Sequence, residues 1–202
     1  MRRPFGRWIA AAAIMLCAVP ALAQTSPGQF TDVRVLAPLP GGKLASGLTA
    51  SGAPSSGECF AASLANQGRS DAWRCMAGNI IVDPCFESSP PGPGPLVCFA
   101  SPWSPRVRFF KPTRPVPHDQ ANDDSGSLTT KMPWALELSD GSRCTFLTGA
   151  TTIAAGMRWN YGCQNGANVY GDLDRSAPLW RAFVQHASGA VIRQTAVLVA
   201  WY

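Results

Sequence analysis

The sequence predicts a mainly β, disulfide-bonded fold: an antiparallel sheet or small barrel built from three C-terminal hairpins, with one short helix in the N-terminal half. Three observations carry this expectation. Strands of alternating character flank glycine-ended loops in the C-terminal third. An even number of cysteines follows an export-type leader, and helical periodicity is confined to one short stretch.

Residues 1–23, MRRPFGRWIAAAAIMLCAVPALA, join a basic start (Arg2, Arg3, Arg7) to an apolar run and the small-residue triplet Ala21-Leu22-Ala23. This is the layout of a secretory signal peptide cleaved after Ala23. Its apolar run falls short of the roughly 20 residues that span a bilayer, and no later stretch reads as a transmembrane segment. Cys17, preceded by bulky Ile14-Met15-Leu16 where a lipoprotein site needs small residues, is expected to leave with the leader. The expected location is therefore secreted or periplasmic. Cleavage leaves 179 residues (202 minus 23) and, once three arginines are subtracted from 17 basic residues, 14 basic against 12 acidic side chains. An excess of two positive charges gives little reason to expect nucleic acid as a partner.

Six cysteines remain: Cys59, Cys75, Cys85, Cys98, Cys144 and Cys163. An even count in an exported chain reads as disulfides, because thiols oxidise beyond the membrane. Zinc sites need close pairs such as C-x2-C, whereas no two of these cysteines have fewer than nine residues between them. A nucleophilic thiol would leave an odd number for bridging and would need a histidine partner. Six cysteines allow 15 connectivities. Sequential pairing, 59 with 75, 85 with 98 and 144 with 163, is expected because each closes a short local loop, and each bridge would add about 3 kcal/mol by chain entropy.

Residues 24–57 are rich in Gly, Ser, Pro, Ala and Thr around one apolar patch, VRVLAPL, and are expected to form a flexible lead-in. A single cysteine-bridged domain is expected over 58–202. Ser55 and Glu58 stand in capping-box spacing, and Phe60, Ala61, Leu64 and Ala65 follow at helical intervals before Gly68, which predicts the short helix. GNIIVD (78–83), PLVCFA (95–100) and RVRFF (106–110) read as strands bounded by turn formers. The polar, proline-studded segment 111–131 reads as a linker and a possible internal boundary.

Three hairpins follow. Taking Ser139-Asp140-Gly141 as the first loop pairs Leu138 with Ser142, Glu137 with Arg143, Leu136 with Cys144 and Trp134 with Phe146. Apolar residues then share one face and an opposite-charge pair lies on the other. The loop Gln164-Asn165-Gly166 pairs Tyr161 with Val169 and puts Trp159, Tyr161 and Cys163 on one side, so Cys144 and Cys163 both face the core. Ala187-Ser188-Gly189 suggests a third hairpin of the same design. Its last strand, TAVLVAWY, is apolar on both faces, as a buried central strand should be rather than a membrane-barrel strand, which alternates.

No catalytic residue, cofactor or metal is implied by any motif. His118 and His186 lack a nucleophile motif and read as solvated or structurally bonded. Asp119, Asn122, Asp123 and Asp124 miss the spacing of a calcium loop. The remaining candidates are binding residues. Trp103, set among prolines, is expected to be exposed and able to stack on a ligand. Arg106 and Arg108, with Lys111 and Arg114 beyond, either grip an anionic polymer or blunt an edge strand. Asp172 and Asp174 beside Arg175 are a carboxylate pair or an acidic turn neutralised by its own arginine. The expected function is a non-enzymatic envelope or secreted module that binds a protein or wall polymer. The alternative is a hydrolase that cleaves wall or extracellular polymer through carboxylates. Two outcomes test the export reading: mass analysis should place the mature amino terminus at Gln24, and thiol titration under denaturing, non-reducing conditions should find no free thiol.

Overall fold

Short β-branched and aromatic runs favour extended backbone, and in the computed structural model, which describes residues 29–202, they close into two barrels. The leader expected over residues 1–23, with Cys17, lies outside the described residues. The strands are β1 (Asp32–Arg34), β2 (Thr49–Ala50), β3 (Ser55–Ala62), β4 (Ala72–Ala77), β5 (Ile80–Phe86), β6 (Leu96–Cys98) and β7 (Arg106–Pro112). After the segment that follows β7 come β8 (Ala135–Leu138), β9 (Arg143–Phe146), β10 (Ile153–Ala154), β11 (Met157–Cys163), β12 (Asn168–Asp174), β13 (Arg181–Gln185) and β14 (Ile192–Trp201). The helical turns among them are two three-residue 3-10 turns, at His118–Gln120 and Leu128–Thr130.

In the first barrel β3, β4, β5, β6 and β7 form an antiparallel meander. Five strands of alternating direction leave the first and last pointing the same way, so β7 closes on β3 as a parallel pair. Its sheet buries apolar side chains in two separate clusters. Phe86, Val97 and Val107 pack with Leu36, Leu39, Leu44 and Leu48 from the N-terminal segment, whereas Trp73, Leu96 and Phe110 pack with Val116 and Ala121 from the segment after β7.

The three C-terminal hairpins, β8–β9, β11–β12 and β13–β14, form the second barrel, and an even count lets β14 close on β8 antiparallel. The first hairpin has the expected register, Leu136 opposite Cys144 and Glu137 opposite Arg143, and Gly141 takes the positive φ of +83° that its loop requires. Tyr161 opposes Val169, also as expected. The last strand is bonded along both edges, to β13 and β1 on one side and to β8 on the other. Around it Tyr161, Val169, Val184, Val197 and Tyr202 form a dry core. The hydroxyls of Tyr161 and Tyr202 donate to the carbonyls of Pro133 and Lys131 at 2.8 and 2.9 Å. Burial favours the neutral phenol, holding Tyr161 well above its ordinary pKa and pushing Tyr202 to about 12.

The three disulfides are Cys59–Cys75, Cys85–Cys98 and Cys144–Cys163, and each joins residues directly opposed in register on neighbouring strands.

Four expectations need correction. The predicted helix beginning at Ser55 is strand β3. Its capping-box spacing is a coincidence of composition: Cys59, outside the helical stripe, is buried, whereas Phe60 and Leu64, inside it, are exposed. Gly57 enforces the pairing, since a Cβ there would fall 1.9 Å from the Met76 carbonyl oxygen. The lead-in is not free over its apolar patch. β1 pairs with β14, Leu39 is buried, and β2 pairs with the start of β7. Trp159 does not join Tyr161 in the core, because a bulge between them shifts the alternation and buries Asn160 instead. The third hairpin is also looser than its sequence suggested. Gln185 opposes Ile192, which leaves residues 186–191 as the connection. The opening residues of β14 are exposed or half-buried, so no buried apolar set fixes a tighter register there.

The N-terminal segment is held by Thr31, whose buried hydroxyl donates to the Val197 carbonyl at 2.7 Å and accepts from the Trp180 amide at 2.8 Å. Thr31→Val keeps the shape and strands both backbone groups. It should cost about 1–3 kcal/mol, read as a lowered denaturant midpoint with an unchanged slope.

Candidate functional site

The carboxylates that a hydrolase would use do not converge. Asp174 accepts from the Ser176 hydroxyl and amide, and these bonds hold its carboxyl below the usual carboxylate range. Arg175 does not neutralise it. That guanidinium donates to the Lys131 carbonyl at 2.7 Å and lies 4.8 Å over the Trp180 ring. Asp172 is exposed on the rim of a hollow of about 600 Å³ beside Met157 and Phe183, where it is the single carboxylate. Asp123 accepts from Ser125, Asp124 from Ser70, and Asn122 donates to the carbonyls of Ser63 and Asn66, so that segment turns its polar groups to separate partners. Among the described residues no cluster of three or more His, Cys, Asp or Glu side chains is placed to hold a metal ion.

Arg106 and Arg108 alternate with buried Val107 and project to solvent, with no carboxylate within salt-bridge distance among the described residues. They do not blunt an edge, because β7 is bonded on both sides. Beyond them the same chain stretch enters a concavity.

That concavity is a groove of about 880 Å³ on the first barrel, open to solvent. Six prolines line it: Pro54, Pro91, Pro93, Pro95, Pro112 and Pro115. The run SSPPGPGP before β6 and the run KPTRPVP at and after the end of β7 supply five of them, and Leu96, Phe109 and Val116 add side-chain surface. Proline fixes its own φ and carries no N–H, so these walls are stiff and poor in donors. The polar lining is small. Glu87, with its side chain only 8% exposed, meets Nε2 of His118 at 2.9 Å. The His118 ring also stands edge-on to Trp73 at 5.5 Å. Thr113 donates its hydroxyl to the Gly57 carbonyl, Arg114 is paired with Glu58, and Lys111 has no carboxylate partner among the described residues. The chain matches no protein-family model, no curated protein and no solved structure.

The groove unites residues that the sequence left scattered. Lys111, Arg114 and His118 were visible as a basic, proline-studded linker, but Glu87 lies 31 residues from His118 and has no local signal that it will be buried. His186 is elsewhere, with Nδ1 3.6 Å from Asp140 between two hairpin loops of the second barrel. A half-buried carboxyl, Asp83, is pushed up by desolvation against hydrogen bonds from Ser63, Leu64 and Ala65. It caps the turn after β3 and does not line the groove.

Trp103 is half-buried rather than free. Its indole N–H donates to Oε1 of Glu137 at 2.8 Å, and the Trp201 indole donates to the same oxygen at 3.0 Å. Arg143 lies 5.6 Å over the Trp103 ring. One carboxylate on β8 thus fastens the β6–β7 connection of the first barrel to the last strand of the second. The ring expected to stack on a ligand serves as a docking pin. Glu137→Ala should lower the thermal midpoint, at a cost of about 1–3 kcal/mol for the two unpaired donors. Glu137→Gln retains an acceptor oxygen and should lose less, a difference that calorimetry resolves.

Proposed function

We propose that the protein is an exported, non-enzymatic binding module and that its ligand occupies the proline-walled groove of the first barrel. The observation that carries this reading is the combination of stiff apolar walls with a single carboxylate already engaged by a histidine. Ligand sites are typically concave and mostly apolar, with a few polar groups that set orientation. Three disulfides accord with an oxidising compartment, and among the described residues no helix is long and apolar enough to cross a membrane.

A hydrolase is the second reading, favoured by one contact, the Glu87–His118 pair. A carboxylate behind an imidazole is how a general base is oriented. The groove supplies no partner for it: Thr113 is the hydroxyl residue of the lining, and its proton is committed to the Gly57 carbonyl.

The dye 8-anilinonaphthalene-1-sulfonate separates the two readings. It should bind saturably with enhanced fluorescence, and Pro93→Arg, placed on the exposed loop, should abolish the signal without lowering the thermal midpoint. Hydrolysis of p-nitrophenyl butyrate should proceed no faster than in buffer. Turnover that disappears in His118→Ala would replace the binding module with the hydrolase.

A further inference from the structure

We infer that the groove takes an anionic amphiphile, a single acyl chain with a carboxylate head, and that Lys111 receives the head. This rests on the groove being the binding site, and it adds the class of ligand.

The walls decide the body of the ligand. A peptide laid along a sheet edge gains its affinity from main-chain hydrogen bonds. Six of the sixteen lining residues are prolines without an N–H, and three of those, Pro91, Pro93 and Pro95, alternate with Gly92 and Gly94. Such walls reward a ligand whose body needs no hydrogen bonds, and they cost an extended peptide its unpaired amides on entry. An acyl chain has none to lose. The stiff pyrrolidine rings with Leu96, Phe109 and Val116 give it apolar surface to cover, and a hollow of about 880 Å³ leaves ample room for it.

The polar lining decides the head. Glu87 and His118 satisfy one another, Thr113 is committed to a backbone carbonyl, and Arg114 is held by Glu58 from outside the lining. The charge left over is the Lys111 ammonium, exposed at the groove with no acidic neighbour within 4.0 Å among the described residues. Arg106 and Arg108 extend the same sign along β7, so the approach to the groove is positive while its walls are apolar. The sole acid in the lining, Glu87, is set back from solvent, with its side chain 8% exposed behind the His118 ring. One unmatched cation beside a donor-poor wall fits one compact anion on an apolar tail.

The test is displacement of the anilinonaphthalene dye from the full mature chain by oleate and by methyl oleate. Oleate should displace the dye more tightly than its neutral ester. Lys111→Glu, a change at an exposed side chain, should weaken oleate roughly tenfold, the scale of one charge-assisted contact, and leave methyl oleate unchanged once each competition is corrected for that variant's own affinity for the anionic dye. With the same correction, higher salt should weaken oleate and not its ester. Flotation with vesicles of phosphatidylglycerol separates a free carboxylate amphiphile from a membrane lipid. Oleate displacement without flotation supports the inference, and flotation lost in Lys111→Glu marks a diacyl phosphate lipid as the ligand and overturns the single-chain carboxylate. Equal displacement by oleate and its ester, or oleate binding untouched by Lys111→Glu, overturns it. If the dye binds and responds to Pro93→Arg but oleate fails to displace it, the groove stands as a binding site and the amphiphile falls. If the dye itself does not bind, the groove reading falls first.

Discussion

Covalent pinning of strand register is the constraint on which the rest of this molecule depends. Most of its strands have seven residues or fewer, and a few cross-strand pairs leave little energy to discriminate between alignments. A one-residue slip would turn each buried face outward. Each disulfide removes that freedom by joining residues that sit directly opposite one another, with Cα atoms 3.8 to 4.0 Å apart. In the first barrel two of them fix β3 on β4 and β5 on β6, so four of the five meander strands are tied in pairs. In the second, Cys144–Cys163 fixes the joint between the first two hairpins.

Noncovalent detail completes what the cross-links begin. Gly57 lets β3 approach the Met76 carbonyl at a distance no other residue would tolerate. Glu137 collects two indole donors from different barrels on one oxygen atom, and a carboxylate can accept both without competition because each of its oxygens carries two lone pairs. The proline-walled groove follows from the same architecture. Its walls flank β6 and the end of β7, strands already held in the closed meander, so proline-rich segments that would otherwise sample many arrangements keep a concave shape.

The C-terminal half was largely legible in the sequence, and the reason is local. Loops ending in glycine dictate a hairpin register, and the register then accounts for which of Leu136, Cys144, Tyr161 and Val169 lie inside. The first half was legible only in part. β4 carries no turn signal or clean alternation of its own, and Ser55 to Ala65 matches a helical period by chance although the partners of β3 lie 11 to 55 residues away. The site was hidden for the same cause. Lys111 and His118 are neighbours in sequence, but Glu87 and the loop from Pro91 to Pro95 reach them only through barrel closure. Trp103 misled because proline-rich surroundings suggest exposure, and nothing near it in sequence announces Glu137, 34 residues on.

The pairing of β1 with β14 carries a consequence for how the chain matures. Thr31 is bonded to Val197, a partner 166 positions downstream. A polypeptide that emerges stepwise from the ribosome or through a translocation channel must therefore keep its opening strand waiting until nearly everything else has appeared. Until then β1 lacks the strand it pairs with, whereas Leu36, Leu39, Leu44 and Leu48 have their packing partners in the first barrel. Among the described residues the first strand of the chain thus depends on the last for its pairing.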